Sequence, residues 1–200
     1  MAGMMGMKLG WTVIFAMWTA MMVAMMLPSA APAILLYGRV HRHSFGAASN
    51  PPATAFLLGY LACWAAFSGL AATFQILLKT DALANRGAAA ALMIAAGVYQ
   101  LSPLKDACLS RCRSPTEFIT RHYRPGAVGA LRLGLLHGAY CVGCCWLLMA
   151  LLFVGGVMNL AWIAALTLMV AAEKLLPGGR WLARIAGVAL IGWGAYLLAV

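Results

Sequence analysis

The stretch His137-Gly138-Ala139-Tyr140-Cys141-Val142-Gly143-Cys144-Cys145-Trp146 decides how the chain is read. It lies inside an apolar run from Leu131 to about Val154, which as an α-helix is long enough to cross a bilayer. At about 100° per residue, His137, Cys141, Cys144 and Cys145 fall within roughly a third of the helix circumference. One imidazole and three thiols thus share a face at membrane depth, where a polar group needs a partner. Free cysteine also packs as a small hydrophobe, and Gly138 and Gly143 allow close helix contact, so inert packing is the plain alternative. Thiolate and imidazole are donors that soft metals select, so the cluster points to a soft-metal or thiol-redox site.

The surrounding composition fits a bilayer. Of 200 residues, 64% are hydrophobic and 9% charged, with a mean hydropathy of +0.91. Such a chain has too little polar surface to cover itself in water, which predicts an integral membrane protein of one domain over 1–200. The formal charge of +10 is then explained by basic loops under the positive-inside rule, without a nucleic-acid partner. The fold expected is an all-α polytopic bundle of about six spans, near 9–37, 54–78, 88–104, 131–154, 160–176 and 181–200. The early apolar run is read as a retained first span rather than a signal peptide, since no convincing small-residue cleavage site follows it.

Span one holds Met17, Met21, Met22, Met25 and Met26, followed by Pro28 and Pro32, which should kink or end it. Met17, Met21 and Met25 lie on one slowly drifting face; thioethers pack adaptably and also suit Cu(I). His41 and His43 form a His-x-His pair among arginines, read as solvated, and Cys63 in span two reads as core. The polar connection over about 105–130 carries Cys108 and Cys112, which share a face if helical. Ser114-Pro115-Thr116-Glu117 then reads as a capping box opening a short interfacial helix through Tyr123. Glu173 and Lys174 close span five, where they pair or reach the interface.

Six spans put both termini on one side. Loops one, three and five hold Arg39, Arg42, Lys105, Arg111, Arg113, Arg121, Arg124, Arg132, Lys174, Arg180 and Arg184, eleven of the 14 basic residues. Lys8, Lys79 and Arg86 lie on the other side. The bias predicts termini outside the cytoplasm and Cys108 and Cys112 in a reducing compartment, against a permanent disulfide.

Tyr99-Gln100-Leu101-Ser102-Pro103-Leu104-Lys105, Cys108, Cys112 and Arg113, the stretch from His137 to Trp146, Gly155-Gly156-Val157-Met158-Asn159, Glu173-Lys174 and the Met-rich opening through Met25-Met26-Leu27-Pro28-Ser29 carry a resemblance. Over nearly its whole length the chain resembles a bacterial family called domain of unknown function 2182, described as predicted metal-binding integral membrane proteins. The resemblance implies a metal site in a bacterial cytoplasmic membrane without naming the metal.

From the residues, the leading expectation is copper handling or delivery. His137, Cys141, Cys144 and Cys145 would be the inner ligands, Met21 and Met25 a softer neighbouring set, and Cys108 with Cys112 a cytoplasmic loading or unloading end. Zinc is satisfied by Cys and His alone, and the methionines tilt the reading to copper. The recipient would be a membrane or periplasmic protein. The alternative is a membrane-bound metal- or thiol-dependent oxidoreductase, or its membrane subunit, using Cys141-Val142-Gly143-Cys144 as a Cys-x-x-Cys. An assembly subunit with inert cysteines is the third.

Overall fold

A computed structural model describes residues 2–45, 52–77 and 85–199, with side chains over 10–40, 53–77 and 85–199. The side chains of the His41/His43 pair, Lys8 and Lys79 lie outside these ranges. Every element among the described residues is helical, as the apolar periodicity predicts. The long helices are α1 (Ala2–Phe45), α2 (Pro52–Leu77), α6 (Gly126–Ala150) and α9 (Gly179–Ala199). Between them lie α3 (Arg86–Gln100), α4 (Pro103–Arg113), α5 (Pro115–His122), α7 (Leu152–Gly155) and α8 (Leu160–Leu175).

Among the described residues, four segments are long and apolar enough to cross a membrane: Gly10–Val40, Ala53–Leu77, Gly126–Gly155 and Gly179–Ala199. The count rises to five if α3 and α4, bent by 63° at their junction, are taken as one broken span. This differs from the six expected. The segment near 88–104 divides because Pro103 cannot continue α3 and instead opens α4 at its first turn, where Ser102 accepts a bond from the Lys105 amide at 3.2 Å. The segment near 160–176 forms a helix of 16 residues, about 24 Å long against a hydrocarbon core of about 30 Å.

Pro28 and Pro32 were expected to kink or end the first span, yet α1 remains one helix through both. Each proline leaves the carbonyl four residues earlier without its intrahelical donor, a loss that packed helices in apolar surroundings tolerate. Around it, Ser29 Oγ donates to Met26 O at 2.9 Å and Tyr60 OH to the same carbonyl at 3.2 Å.

The bundle is built around α6, which packs on α2 and α4, while α1 covers α2 and α9 covers α3. Closeness of α2 and α6 depends on a pair of glycines. A Cβ on Gly134 would lie 2.0 Å from Phe56 O, and one on Gly59 2.3 Å from Leu131 O. The bilayer-length helices thereby meet backbone to backbone, as small residues permit. At the other end of α6, Gly156 takes φ +92° to turn the chain into α8, whose first turn Asn159 caps by accepting from the Trp162 amide at 3.2 Å.

The long third connection is more structured than the polar loop expected. Buried Lys105 and Leu109 turn α4 toward the interior, while Phe118 and Ile119 of α5 sink into a cluster with Tyr37, Phe56, Ala130 and Leu133. A short helix does begin at Pro115, but Ser114 makes no side-chain cap bond, so the expected capping box does not form. Ser114 is also the last residue of the preceding turn, bonding back to Ser110 O, and its backbone (φ −114°, ψ 66°) serves both helices.

Candidate metal centre

The face anticipated on α6 is turned wholly inward: His137, Cys141, Cys144 and Cys145 are each at most 3% exposed. Cys144 Sγ and Cys145 Sγ donate to Cys141 O at 3.1 and 2.9 Å. A buried thiol on a helix bonds the carbonyl of the preceding turn when nothing better is near. Four other helices bring groups to these sulfurs. From α4, Cys112 packs against the buried cluster that holds Cys141, Cys144 and Cys145. From α1, Met26 Sδ stands 3.9 Å from Cys145 Sγ. From α2, the Tyr60 hydroxyl lies 3.2 Å from Cys141 Sγ. From α8, Lys174 Nζ donates to Cys141 Sγ at 2.9 Å, with Ser29 Oγ at 3.4 Å on its other side.

Cys112 reaches the cluster because of the α3–α4 bend and two anchors. Tyr99 OH donates to the Gly143 carbonyl, and the missing side chain at Gly143 leaves room for Cys108, whose sulfur would stand 3.1 Å from a Cβ there. The second anchor is ionic. Lys105 Nζ meets Glu173 Oε2 at 2.6 Å, with both side chains at most 2% exposed, and Gln100 Nε2 donates to Glu173 Oε1 at 2.7 Å. Arg113 ties the end of α8 by donating to the carbonyls of Glu173, Leu176 and Pro177. Glu173 and Lys174, expected to pair or to reach the interface, do neither. Adjacent helix positions point about 100° apart, so Glu173 faces α3 and α4 while Lys174 faces the thiols of α6.

The residues anticipated from sequence divide. Cys141, Cys144 and Cys145 come together, joined by Cys112 from the connection. His137 stands one turn away, its ring among Phe56, Tyr60 and Phe118 at centroid distances of 5.8, 5.9 and 5.4 Å, with Nδ1 buried and without a hydrogen-bond partner among the described residues. Met21 and Met25 pack in the same apolar core as the thiols, but the thioether against a cysteine sulfur is that of Met26. Cys108 lies beside Gly143. Cys63, read as core, donates to Leu135 O at 3.2 Å. The sequence gives no sign that Tyr60 and Ser29 line the cluster, since nothing in a lone Tyr or Ser marks its partner.

Among the described residues, no group of three or more His, Cys, Asp and Glu side chains stands arranged to hold a metal ion. Cys144 and Cys145 each donate a thiol proton to Cys141 O, a bond that is lost when either is deprotonated to bind a metal as thiolate. The donor set nonetheless suits a soft, low-coordinate ion. Such an ion needs two sulfurs, and Cys112 packs against the cluster of Cys141 and Cys144 across the α4–α6 contact.

Neither the curated proteins nor the solved structures include a match to the chain. Nothing in the comparisons points to zinc. The family model PpoB2, described as copper chaperone, matches residues 15–197, from within α1 to the last turns of α9 and so across every helix that supplies the cluster. The chain belongs to the PpoB2 copper chaperone family.

Proposed function

We propose that the chain is an integral membrane protein that holds copper as Cu(I) between the thiolates of Cys112 and Cys141, with the Cys144 thiol as a neutral third donor, and passes it to a partner. The observation that carries this reading is the packing of Cys112 from α4 against the buried cluster that holds Cys141 and Cys144 of α6. Two thiolates from two helices suit a cargo ion that must be both held and released, because a small separation of α4 from α6 opens the pair. Cys145 and Met26 supply a second, softer pair at 3.9 Å, one step toward α1. A soft cation can pass between such pairs without entering water. Copper is cargo here, so the protein's share of the chemistry is to present sulfur, exclude water and tolerate ligand exchange.

Placement in the bilayer is supported by the four long apolar helices. Two of the eleven basic residues on the expected cytoplasmic side, Lys105 and Lys174, are buried and do not count as loop charges. If the bent α3–α4 pair and α8 each cross alongside the four long helices, the remaining nine against three keep the bias, and we place the termini outside and the α4–α5 connection in the cytoplasm. That side gives Cys112 a reducing environment and makes α4 the loading or unloading end. A membrane or periplasmic protein is the recipient. A thiol oxidoreductase is less well supported, because Cys141 and Cys144 lie in mid-helix rather than at the N-terminal turn that activates a Cys-x-x-Cys thiolate.

The test is Cu(I) stoichiometry of reduced, detergent-purified protein, comparing wild type with Cys112→Ala, Cys144→Ala and His137→Gln. Loss in both cysteine variants with retention in His137→Gln is the expected pattern. Full stoichiometry in folded Cys144→Ala protein would remove the site.

A further inference from the structure

Resting on the copper reading above, we infer that Lys174 is a fixed counter-charge that tunes the thiol cluster to a monovalent rather than a divalent soft cation. Lys174 is buried, with Nζ 2.9 Å from Cys141 Sγ. Its other bond is to the neutral Ser29 hydroxyl. Among the described residues, no carboxylate lies within ion-pair distance of it. Glu173, next in sequence, is committed to Lys105 and Gln100. Arg113, also near the end of α8, is held by three backbone carbonyls. The cluster therefore contains one ammonium, with sulfur as the place where a balancing negative charge can reside.

Charge in such an interior must cancel locally, because an uncompensated buried ion is strongly disfavoured away from water. Two thiolates, one monovalent cation and the ammonium sum to zero. Two thiolates and a divalent cation beside the same ammonium leave one positive charge, and neutrality then demands a third thiolate. The cluster offers one only by breaking the bond of Cys144 or Cys145 to Cys141 O. Removing the ammonium reverses the balance. The monovalent ion on two thiolates becomes an uncompensated anion, while a divalent ion on the same pair becomes neutral. Lys174 thus acts as a specificity residue that need not itself touch the metal.

The reversal supplies a test that misfolding cannot imitate, since damage to the core lowers both affinities together. Ag(I) serves as the monovalent probe and Cd(II) as the divalent one, titrated by competition into reduced, detergent-purified protein. The variants are Lys174→Met, Lys174→Gln, which keeps a polar end against Ser29, and Lys174→Arg. The readout is the ratio of the two dissociation constants. Loss of the charge in Lys174→Met or Lys174→Gln should move that ratio toward Cd(II) on the order of 100-fold, the scale of an unpaired buried charge. Lys174→Arg should hold it within about threefold of wild type. A ratio unchanged in both neutral variants, with Ag(I) still bound by the thiols, overturns the role of Lys174 and leaves the copper site standing. Wild-type protein that binds no Ag(I), or binds it equally after Cys144→Ala, overturns the copper site and this inference with it.

Discussion

Removing Lys105 tests the framework that delivers Cys112 and Lys174 to the same place. Its ammonium and the Glu173 carboxylate are 2.6 Å apart with at most 2% of either side chain exposed. Lys105→Met keeps most of the volume but leaves the carboxylate buried with Gln100 Nε2 as its remaining side-chain donor. Breaking one side of a buried pair costs about 3–5 kcal/mol, a large share of the roughly 5–15 kcal/mol that holds a typical domain folded. Adding Glu173→Gln removes the stranded charge and preserves an oxygen that accepts from Gln100. The double variant should therefore recover to within about 1 kcal/mol of wild type, as neutral replacements of buried pairs commonly do. Unfolding of the four proteins in mixed micelles, followed by tryptophan fluorescence, closes the cycle. Coupling below about 1 kcal/mol, or a double variant no better than Lys105→Met, would refute the claim that this pair is dry and mutually compensating. Ag(I) affinity should fall and recover along with stability, since the same pair sets the angle at which α4 and α8 meet α6.

Gly134→Ala should force α2 from α6, because its Cβ would lie 2.0 Å from Phe56 O; a loss of about 1–3 kcal/mol is expected. Gly192→Ala, with nothing within 4 Å, should be neutral or stabilising by about 0.5–1 kcal/mol in the same unfolding assay. N-ethylmaleimide labelling followed by mass spectrometry should show Ag(I) protecting Cys112 and leaving Cys108 unchanged; equal protection of both would widen the site beyond the thiols that meet Cys112. A reporter fused in the connection near Arg121 should register cytoplasm and a tag at either terminus the outside; opposite labelling would put Cys112 in an oxidising compartment.

The helical class, the apolar segments and the inward face of α6 were legible in the sequence because each follows from periodicity along one helix. Cys141, Cys144 and Cys145 share a face by arithmetic alone, and an apolar bundle has few other places to put it. Span count was less legible: Pro103 marks a break, but only the 63° bend with Ser102 capping the new helix shows two packed elements in place of one straight helix. Composition made the α4–α5 connection look like a solvated loop, because Lys105 and Arg113 read as surface charges until their partners appear on α8. Which methionine meets a cysteine, and which of Glu173 and Lys174 faces the thiols, depends on the rotation and depth at which separate helices dock. Those are properties of pairs of surfaces, built here from Gly59 against Gly134 and Lys105 against Glu173. One-dimensional spacing places donors on a helix; only the packing of α1, α2, α4 and α8 around α6 decides which donors share a site.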